Sequence, residues 1–239
     1  MNVEEAILTR RSVRRFLPKP VPEPVVRKII EVSARAPSGH NIQPWKVYAI
    51  AGEVKDRLCA DILKAAETEP DKHRPEYEYY PTEWHEPYIG RRRELGYDLY
   101  AKLGIARDDV AARTSQMNRN YLFFDAPVGL FVTMDRRFNT GSYIDMGMFL
   151  QNILLAARGH GLHTCGQAAF TWYHDIIRKQ LSFDDTEILI CGVALGYEDT
   201  TAPENKLVTK RVPVDTYAKF FGFSGSSTGA ASARTTAGS

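Results

Sequence analysis

"APVGLFVTM", residues 126–134, is an unbroken apolar run rich in β-branched and aromatic residues. A run this short reads as a strand buried in a sheet. "EILICGVALGY" (187–197) has the same chemistry, and "WKVYAIAG" (45–52) supplies a third strand. Outward from these runs the apolar residues recur at helical spacing. In "VPEPVVRKIIEVSARA" (21–36) the prolines stand in the first turn, where a missing N–H costs nothing, and Val25, Val26, Ile29, Ile30 and Val32 follow. "EVKDRLCADILKAAETE" (53–69), "RDDVAARTSQMNRNYLFF" (107–124) and "WYHDIIRKQL" (172–181) also read as helices. The most apolar is "SYIDMGMFLQNILLAARGHG" (142–161), where Gly147, Ala156 and Ala157 permit close packing and Gly159 or Gly161 ends the helix. "LHTCGQAAF" (162–170) then opens on a strand, and residues 2–9 form a short helix with Val3, Ile7 and Leu8 on one stripe. Strands alternating with longer helices predict a mixed α+β domain around a central sheet.

Two segments break the pattern. Residues 70–104 crowd tyrosine, tryptophan, proline and charge without a sustained period until about Gly90, which predicts an ordered, lid-like insertion. Residues 224–239 are a Gly/Ser/Ala/Thr tail with too little apolar surface to order itself, so the expected domain runs over 1–223.

Composition excludes several classes of function. A net charge of +2 gives no general drive toward nucleic acid or membrane. The N-terminus is acidic and lacks a secretory apolar region, and no uncharged apolar run approaches the roughly 20 residues of a spanning helix. Three scattered cysteines, Cys59, Cys165 and Cys191, read as small buried hydrophobes in a reducing, cytoplasmic compartment. No phosphate-binding glycine loop is present, since Gly159–His160–Gly161 ends a helix instead of opening one. No metal site is expected, because His160 and His163 lack further ligands, and the histidines read as surface or capping residues. No nucleophile elbow or catalytic residue stands out.

What remains is "RRSVRRF" (10–16), four arginines around Ser12, with Val13 and Phe16 to anchor one face. Guanidinium groups held by packing form a preorganised anion site. Lys206, Lys210 and Arg211 form a second basic element.

The stretches "RRSVRRF", "APSGHNIQPWKVYAIAG", "FFDAPVGLFVTMD", "TCGQAAF", "ILICGVALGYED" and "KRVPVD" follow one another as they do in the FMN-dependent nitroreductase family, which the chain resembles over about residues 3–222. The insertion is similar to that of the bacterial nitrobenzoate and dinitroaniline reductases. The resemblance implies a mostly antiparallel central sheet flanked by helices, in an intertwined homodimer with FMN at the subunit interface. It implies that Arg10, Arg11 and Ser12 contact the FMN phosphate, ribityl chain and pyrimidine edge, and that Arg14 reaches the N1/C2-carbonyl edge. Pro37, Ser38, Gly39 and Asn41 would come from the other subunit. Thr164, Cys165, Gly166 and Gln167 would line the ring, and Arg211 would close on the phosphate. Thr209 stands where some members carry a lysine, so Lys206 or Lys210 would substitute. An asparagine, Asn118 or Asn120, would lie near the pyrimidine.

The implied activity is a ping-pong oxidoreductase: NADPH or NADH gives hydride to the flavin, and a small nitroaromatic takes two electrons at the same place, from nitro to nitroso to hydroxylamine. Flavin N5 carries the chemistry, so no catalytic side chain is expected. Tyr80, Trp84 and Tyr88 would cover a flat substrate. Alternatives on the same fold are a reductive dehalogenase, with Glu76, Tyr80 and Lys102 as a conceivable lid set, or a flavin or quinone reductase. Outside enzymes, the alternative is a basic nucleic-acid-binding module.

Overall fold

The computed structural model describes residues 1–223 of the 239, and the predicted disordered tail at 224–239 lies outside the described residues. The chain falls into two compact units, Met1–Val208 and the residues from Thr209 on.

Four strands, β1 (Lys46–Ala51), β2 (Val128–Asp135), β3 (His163–Gln167) and β4 (Glu187–Gly196), form one sheet in the order β1-β2-β4-β3. Every pairing is antiparallel. Seven α-helices are described: α1 (Val3–Thr9), α2 (Glu23–Ser33), α3 (Gly52–Thr68), α4 (Tyr88–Leu103), α5 (Val110–Asn118), α6 (Thr140–Gly159) and α7 (His174–Leu181). The α+β expectation and the antiparallel sheet hold.

β2 and β4 lie at the centre and are buried on both faces, which is why their sequences run apolar without alternation. One face carries Leu130, Val132, Met134, Val193 and Leu195 against Val26 and Ile29 of α2 and Met146, Phe149 and Ile153 of α6. The other carries Phe131, Leu189 and Ala194 against Leu58 and Ile62 of α3, Ile177 of α7, Phe123 and Phe170. Phe123 and Phe170 stack at 4.4 Å, and both stand edge-on to Phe131. Two glycines make room for them. A methyl on Gly129 would sit 2.4 Å from Phe123, and one on Gly192 would sit 2.4 Å from Phe170. Glu187, at the entrance to β4, is buried and bonded by Lys46, Tyr48 and Thr133. Burial alone would raise its pKa, but those donors hold it below the ordinary carboxylate value.

Two expectations change. The stripe on α1 faces outward: Val3, Ile7 and Leu8 are exposed and Ala6 is the buried contact. The helix expected over 107–124 stops at Asn118, and a 3₁₀ turn, Arg119–Asp125, follows. In that turn Phe123, Phe124 and Asp125 have φ of 51°, 54° and 69°, costly for side chains of this size and held by burial of both rings. The insertion is helical from Tyr88 and leads directly into α5, and none of residues 66–122 is buried.

Replacing Gly192 by alanine forces Phe170 aside and is expected to cost about 1–3 kcal/mol. Gly96 lies in α4 with nothing within 4 Å of a new methyl, so Gly96→Ala is expected to stabilise by about 0.5–1 kcal/mol. Urea unfolding midpoints of the two variants check the opposite signs.

Candidate functional site

The arginine stretch is fastened to the sheet by its backbone. Ser12 bridges to Thr164 in parallel, and Val13 N–H donates to the Thr164 carbonyl at 3.1 Å. Phe16 N–H donates to Phe124 and Leu17 N–H to Tyr197, at 3.1 and 2.8 Å. Val13 and Phe16 are the buried pegs that the sequence predicts. This stitching brings Arg10, Arg11, Ser12 and Arg14 beside Thr164, Cys165, Gly166 and Gln167 of β3, although some 150 residues separate the two groups.

Each arginine then meets different partners. Arg11 is ion-paired with Glu198, whose side chain is 5% exposed. The Arg14 guanidinium turns to the Ser12 carbonyl at 3.3 Å, while its backbone N–H goes to Asn205. Arg15 faces away, toward Asp125 at 2.7 Å and buried Glu204 at 3.4 Å. Arg119, at the foot of α5, binds the same two carboxylates at 2.9 and 3.3 Å. Burial pushes the Cys165 thiol up, opposed by the charge of Arg14, a hydrogen bond with Ser12 and the charge of Arg10.

Several polar atoms here are buried without a partner: Thr164 Oγ1, Gln167 Oε1 and Arg11 Nε. Gln167 gives its amide N–H to the Asn120 carbonyl at 2.8 Å, which leaves Oε1 as the unpaired acceptor. Asn120, not Asn118, is therefore the asparagine that meets β3. A side chain at Gly166 would meet nothing within 4 Å, so the strand presents open space there. The arrangement is a cationic rim next to a strand with unspent hydrogen-bonding capacity, suited to a flat, anionic ligand.

The "PSGHN" loop stands elsewhere. Gly39 N–H reaches Asp145 of α6 at 3.3 Å, Ser38 Oγ accepts from Gln43, and Pro37, Gly39 and Asn41 are exposed. His40 and Asn41 take left-handed φ of 49° and 57°, which turns the loop outward from α6. In the second unit Arg211 folds back on its own segment and donates to Thr209 Oγ1 at 2.7 Å.

On the insertion, Tyr80 lies 5.6 Å from Trp84, whose ring carries Arg92 at 4.8 Å, and Tyr88 carries Arg91 at 5.5 Å. Tyr77 is anchored through its hydroxyl to the Ile190 carbonyl. Glu76 is held by Arg136 and Arg178, at 2.9 and 3.2 Å.

The histidine reading needs correction. His163 is largely buried, accepts from Arg158 at 2.6 Å and lies 3.2 Å from Glu198. His174 is half-buried, 3.5 Å from Glu76 and 3.2 Å from the exposed Asp175. Among the described residues no cluster of His, Cys, Asp and Glu could hold a metal ion, and no helix is long and apolar enough to cross a membrane. The three cysteines are free and buried.

Sequence reasoning missed Glu198, Glu204, Asn205 and Arg119. Each meets a partner far away in the chain, so no local spacing marks it. The polar stretch "APENK" after the last strand is the one signal available for two of them.

A family model described as the nitroreductase family matches residues 7–197. The chain is 38% identical over 218 residues to the nitrobenzene nitroreductase of Ectopseudomonas oleovorans, covering 91% of this chain and 96% of that protein. It is 41% identical over 213 residues to the 4-nitrobenzoate reductase of Nocardioides sp. (strain LMS-CY), covering 88% and 86%. Among solved structures, the FMN and NADPH-dependent nitroreductase NfnB from Sphigopyxis sp. strain HMH superposes with a TM-score of 0.90 at 38% identity, covering 93% of this chain and all of that one. The chain belongs to the nitroreductase family.

Burial, reinforced by the charges of Arg158 and Arg11 and opposed by Glu198, pulls His163 down to about 4. The unfolded chain takes up this proton near 6.5 and the folded chain only near 4, so the His163 contribution is complete above that window and is lost as pH falls through it. His163→Gln is expected to flatten the loss of stability across this interval, as read from denaturant midpoints at a series of pH values.

Proposed function

We propose that the chain, as a member of the nitroreductase family, binds FMN and uses NADPH or NADH to reduce small nitroaromatic compounds. The observation that carries this reading is the juxtaposition of the arginine stretch with β3, whose unspent polar atoms fit the cofactor. Arg10, Arg11 and Ser12 would hold the phosphate and ribityl chain, supplying charge-assisted bonds to a dianion. The Arg14 guanidinium would stand at the pyrimidine edge and stabilise negative charge on the ring. The orphaned Thr164 Oγ1 and Gln167 Oε1, with Cys165 and the open backbone of Gly166, would meet the ring and its polar rim.

When bound, FMN would supply two-electron transfer from the nicotinamide to the nitro group. The overall balance is nitroarene plus NAD(P)H plus a proton giving nitrosoarene, NAD(P)⁺ and water, and a second NAD(P)H and proton then convert the nitrosoarene to the hydroxylamine with no further water released. No side chain near β3 is poised as an acid or base: Cys165 is buried with its pKa raised, and His163 stays neutral behind the arginines. The residues would bind and orient, leaving the electron transfer to the cofactor. Donor and acceptor would share one stacking place, hence ping-pong turnover.

The same reading includes a homodimer. Val3, Leu8 and Ile144 are exposed apolar residues on α1 and α6. β1 is an edge strand, bordered by an open, mostly apolar groove of about 810 Å³ between it and α2. These faces fit a second copy, which would present its Pro37, Ser38, Gly39 and Asn41 to the flavin. Tyr80, Trp84 and Tyr88 would cover the substrate as part of a lid, supported by the lack of buried residues in the insertion. The free cysteines fit a cytoplasmic location.

Purified protein is expected to carry a flavin absorbance that NADPH bleaches under anaerobic conditions and that nitrobenzene or 4-nitrobenzoate restores. Rapid reoxidation by a quinone or a halogenated tyrosine alone would overturn the nitroaromatic assignment. Arg10→Ala is expected to weaken FMN about tenfold or more while leaving riboflavin, which lacks the phosphate, near its original affinity. Fluorescence quenching titrations of the apoprotein measure both.

A further inference from the structure

Asn205 lies in the 3₁₀ turn Pro203–Lys206, after the last strand, and is 2% exposed. Its side-chain amide is spent on backbone from two other segments. Oδ1 accepts the Arg14 N–H at 2.8 Å, and Nδ2 donates to the carbonyls of Arg15 at 2.8 Å and Asp199 at 2.9 Å. One planar group thus brackets residues 14 and 15 from both sides and ties them to the end of the sheet. The neighbouring Glu204 takes the Arg15 side chain at 3.4 Å. With Arg15 drawn to Glu204 and Asp125, Arg14 is left on the side of Ser12 and β3, where its charge bears on Cys165.

We infer that Asn205 is a positioning residue of the site: it sets the backbone course that places the Arg14 guanidinium beside the cofactor ring. This rests on the proposed binding of FMN at Arg14. Without the amide, one N–H and two carbonyls in a largely dry region lose their partners, and the local backbone relaxes to find others. Arg14 keeps its charge but loses its fixed place, and preorganisation is what makes such a charge effective.

The test uses the full-length protein with four substitutions: Asn205→Ala, Asn205→Asp, Glu204→Gln and Arg14→Met. FMN dissociation constants and the midpoint potential of the bound flavin are read together with the unfolding midpoint. Asn205→Ala is expected to weaken FMN by about tenfold or more and to shift the potential to more negative values. In the Arg14→Met background the same substitution should leave the potential where Arg14→Met put it. Glu204→Gln, which loosens Arg15 but leaves the Asn205 amide in place, should lower the unfolding midpoint and move the potential less than Asn205→Ala does. An unchanged potential in Asn205→Ala, or an equal shift with and without Arg14, overturns the inference. If Asn205→Ala does not fold, Asn205→Asp is read through the same cycle, since it keeps the acceptor for Arg14 N–H and loses both donated bonds. An Arg14→Met variant with wild-type affinity and potential instead removes the cofactor reading at Arg14. A shift in Arg14→Met with none in the Asn205 variants removes only the positioning role.

Discussion

The hydrogen bond from Val13 to Thr164 is the joint on which the arrangement turns. It lays an amino-terminal segment along β3 and brings the charges of Arg10 and Arg14 to bear on that strand. Arginines on a free tail would sample many directions and pay rotamer entropy on each encounter with an anion. Pegged by Val13 and Phe16, the segment sends Arg11 and Arg15 to carboxylates while Arg14 stays near β3. The carboxylates do not simply cancel the positive charge. Buried Glu198 and Glu204 fix two of the four guanidinium groups, so that neighbouring arginines are held apart despite their repulsion.

The joint in turn depends on the aromatic layer beneath it. Phe123 and Phe170 fill the space left by Gly129 and Gly192, and Phe170 follows Gln167 by three residues. The left-handed run Phe123–Asp125 delivers one ring to this layer, the Phe124 carbonyl to Phe16 and the Asp125 carboxylate to Arg15 and Arg119. A costly backbone is therefore offset in three places at once, by packing, by a hydrogen bond and by ion pairs.

Strands, long helices and the arginine stretch were legible in the sequence because their signals are local. Continuous apolar runs mark β2 and β4, and proline at the first turn marks α2. The α1 stripe misled because periodicity reports an apolar face without saying what covers it. Helix α5 ended early because the cost of a left-handed turn at phenylalanines is met by tertiary burial, which propensity does not register. His163 looked like a surface residue because its neighbours, Arg158, Glu198 and Arg11, converge only after β3 pairs with β4. Asn205 was invisible for the same reason: its partners are 191 and 190 positions earlier. The resemblance to a known family supplied the cofactor and the site residues, which composition and spacing alone did not.

The stretch from residue 66 to 122 contributes no buried side chain to the body of the protein. Its ties are the ion pairs of Glu76 and Arg119, the Tyr77 hydroxyl, the Asn120 carbonyl that accepts from Gln167, and partly buried rings such as Tyr121 against Phe170 and Tyr173. Helix α4 lies between these ties and buries no residue, so variation can rewrite its arginines and the exposed tyrosines beside it while β2 and β4 stay unaltered. A scaffold partitioned in this way can diversify what it accepts faster than it diversifies how it reacts, and recombination of that stretch between kindred sequences is the corresponding engineering route.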